Sequence, residues 1–121
     1  MSLIDQLRID ILGYKRAKFL VTQSGTNAPD AVQFINETGD TFTFSRYGEG
    51  VYKIEKSTAW DVNKTFVPAM TMGVYGGVAD MLGRIDVGFE GADLFIYTYD
   101  SAGAPCDGQM VCAPLEIQIF P

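Results

Sequence analysis

The hydrophobic residues of this chain follow two periods, and the change between them falls near Lys15. From Ser2 to Leu12, the residues Leu3, Ile4, Leu7, Ile11 and Leu12 recur at the spacing of one helix face. Ser2 followed three residues later by Asp5 resembles an N-terminal cap, and Gly13 supplies a stop. The pattern predicts a short amphipathic helix over residues 1–13. Its apolar stripe is expected either to pack on its own domain or to bind copies of itself, since an apolar stripe at a chain end suits both.

After Lys15 the period becomes two, and Gly, Asn, Asp and Pro punctuate it, which reads as strands and turns. Eight strands are predicted: Arg16 to Ser24, Ala31 to Glu37, Thr41 to Arg46, Gly50 to Lys56, Thr65 to Val74, Leu82 to Phe89, Leu94 to Tyr99 and Pro114 to Phe120. Thr38-Gly39-Asp40 is expected to be a hairpin turn between the second and third strands, and Tyr47-Gly48-Glu49-Gly50 the turn into the fourth. Phe42 and Phe44 alternate with Thr41, Thr43 and Ser45 and are expected to face the core. The glycine-rich stretch Gly73-Val74-Tyr75-Gly76-Gly77 reads as a bend or bulge. Short strands at regular spacing predict an all-β fold over residues 14–121, a single antiparallel, jelly-roll-like β-sandwich, with a small closed barrel as the alternative.

Composition narrows the function classes. Fifteen acidic against nine basic residues give a net charge of −6, and Lys15, Arg16 and Lys18 form the only basic cluster. Phosphate backbones and anionic membrane surfaces are held by clustered cations, so neither a nucleic-acid nor a membrane partner is expected. No apolar run approaches a bilayer-spanning length, and no basic segment leads into an apolar stretch as in a signal peptide. The expected location is therefore the cytoplasm as synthesised.

The chain contains no histidine. Serine and cysteine nucleophiles normally need a neighbouring base, so the commonest hydrolase designs are missing and no enzyme is expected. A tetrahedral zinc site would lack at least two ligands, and no metal or other cofactor is expected. Asp80, Asp86, Glu90 and Asp93 are acids that a paired-carboxylate mechanism could use, although a solvated acidic rim explains them as well. Cys106 and Cys112 flank the turn-forming Asp107-Gly108, and a fold-back there would let them form a disulfide; reduced thiols are the expectation for a cytoplasmic chain.

Tyr97 and Tyr99 share one face of a strand with Phe95, while Leu94, Ile96 and Thr98 take the other. A strand apolar on both sides is expected at the centre of a sheet. If the aromatic row were exposed, Tyr97 and Tyr99, with Trp60 from a loop, would form a stacking platform for a glycan or another small ligand.

Several segments resemble a group of small β-rich proteins of bacterial and bacteriophage genomes that has no assigned activity. The matching stretches are Leu20 to Pro29, Asn36-Glu37-Thr38-Gly39, Gly48 to Tyr52, Asn63 to Phe66 and the ending Pro114 to Pro121. The resemblance implies a virion or tail component in which stable sandwiches assemble into symmetric homo-oligomers. The ending departs from the group in carrying Gln118 and Phe120 where a more basic residue and a tyrosine are usual. Two functions are thus expected in order: a structural or assembly protein that associates with itself, and a small-ligand or carbohydrate-binding module.

Overall fold

The computed structural model describes residues 2–68, 70 and 83–121. Among these residues one helix, α1 (Leu3–Leu12), precedes eight strands: β1 (Lys15–Thr22), β2 (Asp30–Asn36), β3 (Phe42–Gly48), β4 (Val51–Lys56), β5 (Thr65–Phe66), β6 (Arg84–Glu90), β7 (Asp93–Tyr99) and β8 (Ala113–Ile119). The glycine-rich stretch from Gly73 to Gly77 and Asp80 lie outside the described residues. Of the fifth strand expected over Thr65 to Val74, Thr65–Phe66 pairs with β8.

The strands form two four-stranded sheets, in the orders β2-β1-β8-β5 and β3-β4-β7-β6, and every pairing is antiparallel. The expected eight-stranded β-sandwich is what the chain forms. The nested pairs β1–β8 and β4–β7 are roll-like, whereas the local hairpins β1–β2, β3–β4 and β6–β7 depart from a full jelly roll.

The core lies where alternate residues of the two sheets meet. Ala17, Phe19 and Val21 of β1 and Ala113, Leu115 and Ile117 of β8 face Tyr52 and Ile54 of β4 and Leu94 and Ile96 of β7, and all are buried. Phe42 and Phe44 cross the gap to meet Phe19 edge-on, at centroid distances of 5.2 and 5.3 Å. Such edge-to-face pairs add to the area term that drives the sheets together.

The segment Thr38-Gly39-Asp40 does not close the expected hairpin, because β2 and β3 belong to different sheets. Asn36 decides the path: its Oδ1 accepts from the Thr38 N–H (3.0 Å) and hydroxyl (2.7 Å), and its Nδ2 donates to the Asp40 carbonyl (2.7 Å). A side chain that bonds its own backbone two and four residues on imposes a local turn, here one that carries the chain across the sandwich. Tyr47-Gly48-Glu49-Gly50 does make the β3–β4 turn. Gly50, at φ +66°, is packed so tightly that a Cβ would stand 2.6 Å from the Thr98 carbonyl oxygen and 2.7 Å from the Cys106 nitrogen.

Among the described residues, the outermost strand at each side of both sheets carries a device that discourages pairing with another chain. β2 has an irregularity that leaves Phe34 unpaired between Gln33 and Ile35, and β3 has one that leaves Tyr47 unpaired before Gly48. β5 is two residues long, and β6 carries Arg84, Asp86 and Glu90.

Candidate functional site

β7 is central, between β4 and β6, and its inner residues Leu94, Ile96 and Thr98 are fully buried. The outer row is not a bare aromatic platform. Phe95 is 6% exposed, covered edge-on by Tyr47 at 5.4 Å and flanked by Tyr97 at 5.9 Å. Tyr97 and Tyr99 are half-buried and each is fixed from β6. The Tyr97 hydroxyl donates to Glu90 at 2.7 Å, and the Arg84 guanidinium lies 4.3 Å from the Tyr99 ring centre while its Nε donates to Asp86. Burial, then the bond to Glu90, pushes the Tyr97 phenol up to about 12.

Trp60 does not join them. It packs among the inner-face aromatics, 6.2 Å from Phe42 and 5.9 Å from Phe89, donates its Nε1–H to the Ile54 carbonyl at 3.2 Å and carries the Lys56 ammonium 5.2 Å from its ring centre. Sequence places all three rings in reach of one ligand, but strand alternation puts the two tyrosines on the outer face of a sheet whose inner side Trp60 seals.

The carboxylates are likewise dispersed. Asp86 is engaged by Arg84, Glu90 by Tyr97 and Asp93 by Lys53 at 3.7 Å, so each described candidate has its own partner. Among the described residues no group of three or more Asp, Glu, Cys or His side chains could hold a metal ion.

Cys106 and Cys112 are both free thiols. No hairpin forms around Asp107-Gly108, because Asp107 is drawn into the gap between the sheets. It accepts from Arg46 Nη2 (2.9 Å), the Gly50 N–H (3.0 Å) and the Tyr52 hydroxyl (2.5 Å), while the Gly108 N–H donates to Gln23 (2.7 Å). Cys106 is left against Gln109 and Cys112 against Thr22, at opposite ends of this loop. Burial acts to raise the Asp107 pKa, but Arg46, the Gly50 amide and Tyr52 together outweigh it and hold the carboxyl below the ordinary range.

The most unusual surface is one that sequence left open between two uses. α1 is capped as expected: the Asp5 N–H donates to Ser2 Oγ (3.1 Å), and Gly13, at φ +78°, donates its N–H to the Ile9 carbonyl (2.8 Å). No residue of the helix is buried. Leu3, Ile4, Leu7 and Ile11 are 85%, 79%, 58% and 73% exposed, so among the described residues nothing of its own domain covers the stripe. The reason is Arg8, which at about 100° per residue sits at the flank of the stripe, between Ile4 and Leu12. Its Nε donates to Glu37 at 2.9 Å and its Nη2 to the other carboxylate oxygen. Glu37, 6% exposed, also accepts the Arg16 backbone N–H at 2.9 Å and lies 3.7 Å from Arg16 Nε. A buried carboxylate requires such cationic partners. The helix is therefore clamped through the side that carries Asp5, Arg8 and Ile9, its half-buried residues, and Leu3, Ile4, Leu7 and Ile11 are left in solvent. Sequence shows Arg8 as the sole cation of the helix but gives no sign of its partner in the connection after β2.

No family model, curated protein or solved structure matches this chain, so the functional reading stands on its own geometry.

Proposed function

We propose that the protein is a non-enzymatic structural or assembly component that associates with copies of itself, with α1 as a contact element. The observation that carries this reading is the stripe of Leu3, Ile4, Leu7 and Ile11, turned to solvent by the Arg8–Glu37 clamp. Exposing such a contiguous apolar surface is costly in water and is the usual mark of an interaction site. The blunted sheet edges support it, since they direct association away from strand addition. Ile4, Leu7 and Ile11 follow the three-then-four spacing by which helices pack on one another. A virion or tail component is the setting implied by the sequence resemblance.

Multi-angle light scattering tests the proposal. The protein is expected to run as an oligomer, and Leu7→Glu with Ile11→Glu to reduce its mass while leaving the far-ultraviolet spectrum unchanged. A monomer at the highest soluble concentration would sink the reading.

A second reading, a small-ligand or carbohydrate site, rests on Tyr97 and Tyr99, two half-exposed rings held in fixed positions by Glu90 and Arg84. Fixed rings stack on a sugar with little loss of side-chain freedom. Glycan-array binding that is lost in Tyr97→Ala and Tyr99→Ala would favour it over assembly.

A further inference from the structure

We infer that the outer face of the β2-β1-β8-β5 sheet is the second half of the self-association surface and seats against another copy of this chain. The inference rests on the reading of α1 above.

A ten-residue helix is about 15 Å long. The five apolar side chains of its stripe fall well short of the roughly 20–30 residues and about 800 Å² per partner that a specific, stable interface uses. The remainder has to come from the sandwich, and the two outer faces differ in what they offer. On the β3-β4-β7-β6 sheet the outer aromatics Phe95, Tyr97 and Tyr99 are interleaved with charged side chains already engaged with one another or with those rings, as in Lys53–Asp93, Arg84–Asp86 and Tyr97–Glu90.

The opposite outer face carries an apolar patch beside the Lys18–Glu116 ion pair. Leu20 of β1 pairs with Val32 of β2 on one side and Pro114 of β8 on the other, which sets these three in one row across the sheet. Phe34, the residue left unpaired by the β2 irregularity, is 61% exposed, and Val32 is 59% exposed. Phe66, opposite Gln118, is 56% exposed on the same face. Leu20, Phe34, Pro68 and Pro114 line a depression of about 340 Å³ together with Lys18 and Glu116.

Local charge permits a second copy as the occupant. Copies of a chain with net charge −6 repel one another, so they meet best where local charge cancels. At the middle of this face Lys18 and Glu116 form an ion pair at 3.3 Å. The face also adjoins α1, because Arg16, next along β1 on the same side as Lys18, flanks the Glu37 carboxylate that holds the helix. The α1 stripe and the Leu20–Val32–Pro114 row lie toward opposite ends of β1, with the Arg16–Gln118 and Lys18–Glu116 rows between them, and each patch is of a kind that core positions of self-interfaces use.

The test is sedimentation equilibrium on three variants: Leu7→Glu, the double variant Val32→Lys with Phe34→Lys, and Glu55→Lys, which changes the charge by as much as the double variant but on the opposite face. Trp60 fluorescence and thermal unfolding report that each is folded. The double variant is expected to weaken association by about 100-fold, the scale of losing two apolar anchors, and Glu55→Lys to leave it unchanged. A double variant that associates like the parent while Leu7→Glu dissociates would overturn this inference and leave the α1 reading intact. Dissociation by the double variant with no effect of Leu7→Glu would support the sheet face and sink the α1 reading. A parent protein that is monomeric throughout would overturn both.

Discussion

Arg8 and Glu37 are joined by two side-chain hydrogen bonds across 29 positions of sequence, one from Nε and one from Nη2, and this pair sets the direction in which the N-terminal helix faces. The carboxylate is buried while the guanidinium is about one-fifth exposed, so the pair is sheltered enough to matter to stability. Glu37→Ala removes the anion from Arg8, from Arg16 and from the Arg16 amide at once. It is expected to cost about 3 kcal/mol, the range for breaking one partner of a buried pair, with Arg8→Ala costing less because Arg16 still faces the carboxylate. Urea denaturation of the two variants, with helix signal followed separately by circular dichroism, gives both numbers.

Gly50 and Gly88 predict opposite outcomes for the same substitution. Gly50→Ala places a methyl against the Thr98 oxygen and the Cys106 nitrogen in a left-handed conformation, and backbone on both sides leaves no flexible neighbour to yield. A loss of at least about 3 kcal/mol is expected, combining strain with overpacking. At Gly88 nothing lies within 4 Å of the same methyl, so Gly88→Ala should stay within about 0.5 kcal/mol of the parent. Paired thermal melts decide it, and equal effects would contradict the packing described at the β3–β4 turn.

Asp107 links stability to acid pH. Its folded-state pKa, like those of Asp40 and Glu116, lies below the ordinary value. In all three, burial acts the other way and is outweighed: at Asp107 by Arg46, at Asp40 by the Ser57 and Thr58 hydroxyls and Lys56, and at Glu116 by Gln118 and Lys18. A depressed folded pKa means that the unfolded chain takes up protons first. The stabilisation is therefore complete above the unfolded carboxyl range of about 4 and is lost as pH falls through the lower folded values. Urea midpoints should fall between pH 5 and about pH 2. Asp107→Asn should flatten that slope, and it should cost about 2 kcal/mol at neutral pH because the Tyr52 hydroxyl, fully buried, loses its charged acceptor.

The thiols should both react. With Cys106 and Cys112 free and half-buried, iodoacetamide under denaturing, non-reducing conditions is expected to label two sites per chain. Reductant should leave the melting temperature unchanged, and a shift of several degrees on reduction would show that a disulfide contributes to the fold.

Much of this fold was legible in the chain itself. The helix, with its Ser2 cap and Gly13 stop, follows from local hydrogen bonding and backbone freedom. Most strand limits follow from alternation, because one face of each strand must leave water. The central position of β7 followed from its being apolar on both faces. Lack of histidine, too, is a property of sequence alone, and it bears on catalysis whatever the fold.

Tertiary structure decided what depends on contacts between distant residues. Whether β3 pairs with β2 or with β4 alone turned on where Asn36 bends the chain, which alternation does not encode. Trp60 and the two tyrosines were separated by the thickness of a sheet, and the cysteines by the capture of Asp107 between Arg46, Gly50 and Tyr52. Above all, the amphipathic pattern of residues 3–12 set which helix side is apolar but not which side meets the sandwich. That was settled by one buried carboxylate in need of a cation: Glu37, placed after β2, holds Arg8 and with it the rotation of the helix.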